Sequence, residues 1–305
     1  MAAIQAMAPA RSRGLAELPE GLLAYALLAP AAAVLVGLVA YPLIDGVATA
    51  FTDRAVAKAG HFVGFTNFVE LWRDPIFRLA IWNSVYMTVG AVALKLVLGL
   101  IGALVLSQEF PLRGLVRALV FLPWAVPGLI AGLTWKWIYD EQAGILNYIL
   151  IAGGITETFV YWLSDPAMGK ISIIIANVWH GLPFFIMMFL AGLAAVPREL
   201  NEAAAIDGAG AWTQLWRVTL PQLKDVIAIT VMLSSIWTFN SFHMVFILTG
   251  GGPAYRTHIL PTLAYEYGIG RSQLGMGAAV MVAVIPVFMV IIALLTRRML
   301  RERDA

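Results

Sequence analysis

The chain has 305 residues, 61% of them hydrophobic and 12% charged, with 20 basic and 18 acidic side chains for a formal net charge of +2. Globular domains run at about 25% charged, so the composition excludes an ordinary soluble domain, a disordered tail, a coiled coil and a highly charged nucleic-acid binder. The absence of cysteine removes disulfides, thiol catalysis and Cys-ligated zinc together.

Each bilayer crossing needs about 20 predominantly apolar residues. Six such stretches follow in chain order: 22–44, 79–107, 115–139, 169–193, 224–248 and 274–296. They predict an all-α membrane protein with six transmembrane helices. Its parts are a cytoplasmic N-terminal tail (1–21), a first span with its outer loop (22–78), a core of five spans (79–296) that includes a cytoplasmic loop (194–223), and a cytoplasmic C-terminal tail (297–305). Arg11 and Arg13 precede the first stretch and Ala48-Thr49-Ala50 follows it with the small-residue spacing of a cleavage site. The stretch is nevertheless too long for a signal sequence and reads as a retained anchor.

Six crossings put both termini on one side. With that side inside, the cytoplasmic pieces and their flanks hold 11 Lys or Arg, among them Arg297, Arg298, Arg301 and Arg303, against 8 in the longer outer loops. Both termini are therefore expected in the cytoplasm, with Trp135, Trp137 and Tyr139 in the outer aromatic belt.

Enzyme chemistry is missing from the chain. His61, His180, His243 and His258 lack zinc-ligand spacing, and all 18 acids fall in loops, tails or span ends. Gly250-Gly251-Gly252-Pro253 lacks the Lys-Ser/Thr that would follow in a phosphate loop. No catalytic residue, metal ligand or cofactor is expected, and the want of intramembrane acids argues against a proton-coupled carrier. Lys95 is the one charge in mid-span. It reads either as a snorkelling or locally paired lysine or as a cavity-lining charge.

The loop between the fourth and fifth spans carries the densest signal. Pro197 near the start and Gly208 past the end bracket an Ala-rich run, which predicts a helix over 198–207. Ala211 to Thr219, with Trp212, Leu215 and Trp216 at helical spacing, predicts a second short helix closed by Leu220-Pro221. An ordered helix–Gly–helix between two spans suits a docking surface for a cytoplasmic partner.

Glu202-Ala203-Ala204, Gly208 and Leu220-Pro221 resemble the EAA loop, E-A-A-x-x-x-G-x(11)-L-P, of the permease subunits of binding-protein-dependent ABC importers. Gly64-Phe65-Thr66-Asn67-Phe68 with Asp74-Pro75, and Leu248-Thr249-Gly250-Gly251-Gly252-Pro253, are similar to the maltose-type carbohydrate branch. The likeness runs from about residue 22 to 296. It implies the type I ABC importer permease fold, with a cytoplasmic EAA coupling helix that docks on an ATPase subunit. It also implies a second permease, two copies of the ATPase, an extracytoplasmic solute-binding protein and a sugar-like solute, with ATP and magnesium bound by the ATPase. Glu202 is expected to contact that partner or steady the helix N-terminus. Gly208 is expected to permit the turn or to act as a simple C-cap.

Asn177, His180, Gly181 and Phe184 fall at i, i+3, i+4 and i+7 on the fourth span, and Ser234, Trp237, Thr238 and Ser241 repeat that spacing on the fifth. Hydrogen-bonding groups for hydroxyls and flat aromatic faces for C–H surface suit a sugar, and the same residue types also serve as glue between packed helices. The stretch 177–184 resembles the span of maltose-type permeases that contributes to the sugar site, and there His180 stands where that resemblance implies an apolar residue. A permease for a phosphodiester, amino acid or peptide, a self-contained carrier and a multi-span enzyme are the other readings.

Overall fold

The computed structural model describes residues 20–286 and residue 289; the tails 1–19 and 290–305, with Arg11, Arg13 and the four C-terminal arginines, and the end of the sixth stretch lie outside them. The regular elements among the described residues are helices, apart from isolated bridges pairing Thr52 with Phe62 and Ala55 with Lys58. α1 (Glu20–Leu35) and α2 (Tyr41–Thr49) join through a π-helical turn at Val36–Ala40. None of the apolar window of this rod is buried within the chain. The short α3 (Thr66–Arg73) is pinned by Asn67, whose Nδ2 donates to the carbonyls of Ala50 and Thr52 at 2.8 and 2.9 Å.

Asp-Pro pairs start both of the longest helices. At α4 (Pro75–Ser107) the Asp74 carboxylate accepts from the Ile76 N–H at 2.7 Å. At α8 (Pro166–Ala195) Asp165 accepts from Ala167 and Met168 at 2.9 and 2.8 Å. In each the proline occupies the first turn, where its missing N–H leaves no bond unmade. Capping therefore carries both helices about a turn beyond the apolar stretches 79–107 and 169–193.

Two expected spans are bent. Instead of one rod over 115–139 there are α5 (Arg113–Ala125) and α6 (Gly128–Ile138), which meet at 96°. Val126, forced out of helical geometry by the following Pro127, sits at ψ 126°. The fifth stretch is α11 (Leu220–Phe239) followed by α12 (Phe242–Leu248), bent by 43° at Asn240 and Ser241. Between them lie α7 (Ile145–Ala152), α9 (Arg198–Ile206) and α10 (Ala211–Gln214). α13 (Leu260–Tyr265) and α14 (Leu274–Val282) complete the described chain, and α14 packs on α2, α3 and α13. Three described helices are long and apolar enough to cross a membrane, or five if each bent pair is one span. Only the beginning of the sixth expected span falls among the described residues.

The second short helix differs from expectation as well. It does not close at Leu220-Pro221 but runs on into α11 as one helix, Ala211–Phe239. A π-helical turn at Leu215–Thr219 makes this possible. There the Leu220 N–H donates to the Leu215 carbonyl five residues back, so the ladder is already displaced where Pro221 lacks a donor.

α4 and α8 form the central pair, with α11 against both and α5 against α8. Their approach depends on small residues. A Cβ on Gly99 would lie 2.5 Å from the Phe185 Cβ, and Ala91, Ala103 and Ala176 are fully or almost fully buried nearby. Beyond α12, the loop to α13 is laid on α4. Asn83 Nδ2 donates to the carbonyls of Arg256 and His258, both at 2.9 Å, and the Ser84 hydroxyl accepts from the Leu260 N–H at 2.9 Å.

Gly99→Val is expected to force α4 and α8 apart and destabilise the protein by about 1–3 kcal/mol. The measurement is the unfolding midpoint in detergent, with Gly114→Val, which faces open space, as the control.

Candidate functional site

All seven residues expected at the mid-membrane site line one cavity of about 300 Å³: Asn177, His180, Gly181, Phe184, Ser234, Trp237 and Thr238. Lys95, Trp124, Ser241 and His243 complete the lining. At about 1.5 Å per residue, Lys95 lies about 18 Å from the Ser107 end of α4. By the same rise, Asn177 lies about 16 Å into α8 and Ser234 about 21 Å into α11. The cavity therefore sits deep between the long helices.

A hydrogen-bonded chain forms one wall. The Lys95 ammonium donates to Thr238 Oγ1 at 2.8 Å and to Asn177 Oδ1 at 3.1 Å, and Asn177 Nδ2 donates to Ser241 Oγ at 3.1 Å. This chain ties α4, α8 and α11 to the bend before α12. Lys95 is 2% exposed, so it is not a snorkelling lysine. It is locally paired, as one reading has it, and it also stands at the cavity wall, as the other has it; its partners there are neutral. Gly181 owes its place to this lysine. A Cβ there would stand 3.1 Å from Lys95 Cδ and 3.3 Å from Nζ, so the stem crosses α8 where no side chain intervenes.

The aromatic wall is Phe184 against Trp237, edge to face with centroids 4.9 Å apart. Trp237 is 53% exposed and Trp124 49%, so both present ring surface to the open side of the cavity. His180 has a structural reason for standing where an apolar residue is expected. Its Nε2 lies 3.0 Å from the Val126 carbonyl at the α5–α6 bend, which makes that nitrogen the protonated one. His243 packs on the same corner at Gly128. A Cβ on Gly128 would be 2.4 Å from its Nε2, and the two imidazoles are 6.5 Å apart.

The second expected set lies at the end of the bundle that carries α9. Glu202, Ala203 and Ala204 are on α9, with Glu202 and Ala203 exposed and Ala204 half-buried. Gly208 has φ +80°, and a Cβ added to it would meet nothing within 4 Å. The Ala209 N–H reaches the Ala204 carbonyl at 2.9 Å and the Gly208 N–H the Ala205 carbonyl at 3.0 Å, the two bonds of a Schellman cap. Glu202 does not steady the helix N-terminus, because it lies in the second turn and the acid of the first turn is Glu199. Leu220 and Pro221 stand where the π turn passes into α11 rather than at a helix end. Trp212 and Trp216 pack edge to face at 5.7 Å and remain exposed, as does Ile206.

Ser241 was legible from its i+7 spacing. Trp124 and His243 carried no periodic signal, because each reaches the cavity only through a bend in its span.

Residues 95–301 match the family described as the binding-protein-dependent transport system inner membrane component. The chain is 35% identical over 246 residues to the trehalose/maltose transport system permease protein MalF of Thermococcus litoralis, covering 79% of this chain and 81% of that one. It is 32% identical over 290 residues to the sulfoquinovosyl glycerol transport system permease protein SmoG of Agrobacterium fabrum, covering 94% and 93%. It is also 32% identical over 286 residues to the diacetylchitobiose uptake system permease protein DasB of Streptomyces coelicolor, covering 92% and 87%. A solved chain from a bacterial ABC transporter involved in the import of the acidic polysaccharide alginate superposes with a TM-score of 0.80 over 92% of this chain and 96% of that one. At 24% identity it speaks for the fold alone.

Thr238→Val keeps the shape of the side chain and removes one of the two acceptors of the Lys95 ammonium. It is expected to lower stability by about 1–3 kcal/mol, read as a fall in the thermal midpoint in detergent.

Proposed function

This chain belongs to the family of binding-protein-dependent transport system inner membrane components, and on that footing we propose that it passes a sugar or sugar-like solute through the inner membrane by alternating access. It is a multi-pass membrane protein and a non-catalytic permease subunit of an ABC importer. Relatives named for trehalose/maltose, diacetylchitobiose and sulfoquinovosyl glycerol support a carbohydrate over a phosphodiester, amino acid or peptide. The maltose-type half is the finer reading, and its support is the 35% identity to the trehalose/maltose permease.

One observation carries the mechanism. A single helix, Ala211–Phe239, begins beside the exposed α9 and ends at Ser234, Trp237 and Thr238 on the cavity wall. At about 1.5 Å per residue it is roughly 43 Å long, so a push on one end is delivered to the other. In this reading six spans keep both termini in the cytoplasm, the sixth covering 274–296. The divisions are the tails 1–21 and 297–305, a first span with outer loop 22–78, and the core 79–296 with its coupling loop 194–223. Glu202, Ala203 and Ala204 dock into an ATPase subunit, Gly208 sets the turn, and Leu220 and Pro221 lead the motion into the span. The complex contains a second permease, two ATPase copies that bind ATP and magnesium, and an extracytoplasmic binding protein. The first span, which buries none of its apolar window within this chain, packs on the partner permease and on lipid. Asn177, His180, Gly181, Phe184, Ser234, Trp237 and Thr238 form the solute site, the hydroxyls meeting the polar wall and the sugar face lying on Trp237.

Gly208→Trp places a large side chain on the exposed turn in a left-handed conformation that only glycine adopts without strain. The variant is expected to insert and to assemble yet to abolish uptake; normal uptake would sink the coupling role. Trp237→Ala is expected to cut uptake roughly tenfold while the complex still co-purifies. Unchanged uptake of every sugar tried would remove the solute site from this cavity.

A further inference from the structure

Lys95 is the one group in the cavity that a neutral sugar does not call for. Hydroxyls are served by Asn177, Ser234, Thr238 and Ser241, which also line it. An ammonium held 98% out of solvent is retained only against a large desolvation cost. Its bonds to Asn177 and Thr238 offset part of that cost, but those acceptors are uncharged and take two of its three N–H donors. The Phe185 ring, with its centroid 5.8 Å from Nζ, is at the outer limit of a cation–π contact. Among the described residues no carboxylate pairs with Lys95 or lines the cavity, and the other two titratable side chains there, His180 and His243, are bases. The cavity thus collects three nitrogen bases and no acid, beside an aromatic wall.

We propose that the solute is an acidic sugar, one bearing a carboxylate or sulfonate, and that Lys95 is its counter-ion. The inference rests on the carbohydrate-importer reading and narrows its substrate class. The acid group meets the third N–H of Lys95 from the cavity, and the sugar ring lies against Phe184 and Trp237. Charge-assisted hydrogen bonds of this kind are about twice as strong as neutral ones. The site therefore discriminates by charge as well as by shape.

The test uses the assembled importer, with its partner permease and ATPase, purified in detergent without the binding protein so that the selectivity of the latter does not enter. Equilibrium binding is measured for a panel of neutral mono- to trisaccharides, each paired with the same sugar carrying a carboxylate in place of its terminal CH₂OH. The wild type is expected to hold the acidic member about 10- to 100-fold more tightly. Lys95→Met should erase that preference, read as the affinity ratio within each acidic–neutral pair, whereas Lys95→Arg should retain it. The wild-type and Lys95→Arg comparisons do not depend on the methionine variant folding. Equal binding of both members, or a preference that survives Lys95→Met, overturns the inference while the carbohydrate reading stands. If no sugar of either kind binds and a phosphodiester, amino acid or peptide does, both fall.

Discussion

The close approach of α4 and α8 is the contact on which the remainder of the molecule is hung. It is possible only because Gly99 offers no Cβ where the Phe185 side chain begins. In a bilayer there is no hydrophobic drive to press two apolar helices together, so close packing of small residues and a few interhelical hydrogen bonds must do so. Here both operate along one seam. Alanines and glycines bring the backbones near, and the Lys95–Asn177 bond fastens them at mid-depth. Once α8 is seated, α5 and α11 have a surface to pack on, and the cavity opens where Gly181 leaves the seam thin.

The cavity and the exposed α9 make opposite demands, and the chain meets each with different chemistry. α9 has few partners in the chain and is held in shape by its own ends, a proline ahead of it and a Schellman cap behind. The cavity wall is instead held by long-range side-chain bonds between helices distant in sequence. The helix Ala211–Phe239 joins the two. Its π turn at Leu215–Thr219 is the place where the ladder is already displaced, which suits it to take up a change of direction without breaking.

The family and the helical nature of the chain were legible because they are written in local patterns. Apolar run length sets the spans, and Pro197 with Gly208 bracketed α9 to within a residue, whereas the capped starts at Pro75 and Pro166 came from the structure. The two polar-aromatic faces were legible because four residues at helical spacing must share a side, and the structure gathers all eight of them, Ser241 with the seven expected to meet solute, around one cavity. The bends were harder to read. Pro127 stood in the sequence, yet a proline inside an apolar stretch can kink a helix slightly or turn it by 96°, and the difference depends on what packs against the corner. Here His180 bonds to Val126 and His243 packs on Gly128. Spacing put His180 on its helix face without revealing that bond, and it gave no signal for His243 or Trp124.

Sequence alone determined that this is an all-helical membrane protein of the importer permease kind, since hydropathy and the EAA pattern depend on neighbours along the chain. It also singled out Lys95 as a lone mid-span charge without saying what it does. Only the tertiary structure decided which side chains it meets. Lys95 is separated from Asn177 by 82 residues and from Thr238 by 143, and no periodicity links positions so far apart. Their meeting is fixed by the depth at which three helices cross. That depth is a property of packing, set by where a missing Cβ lets one helix lie against another.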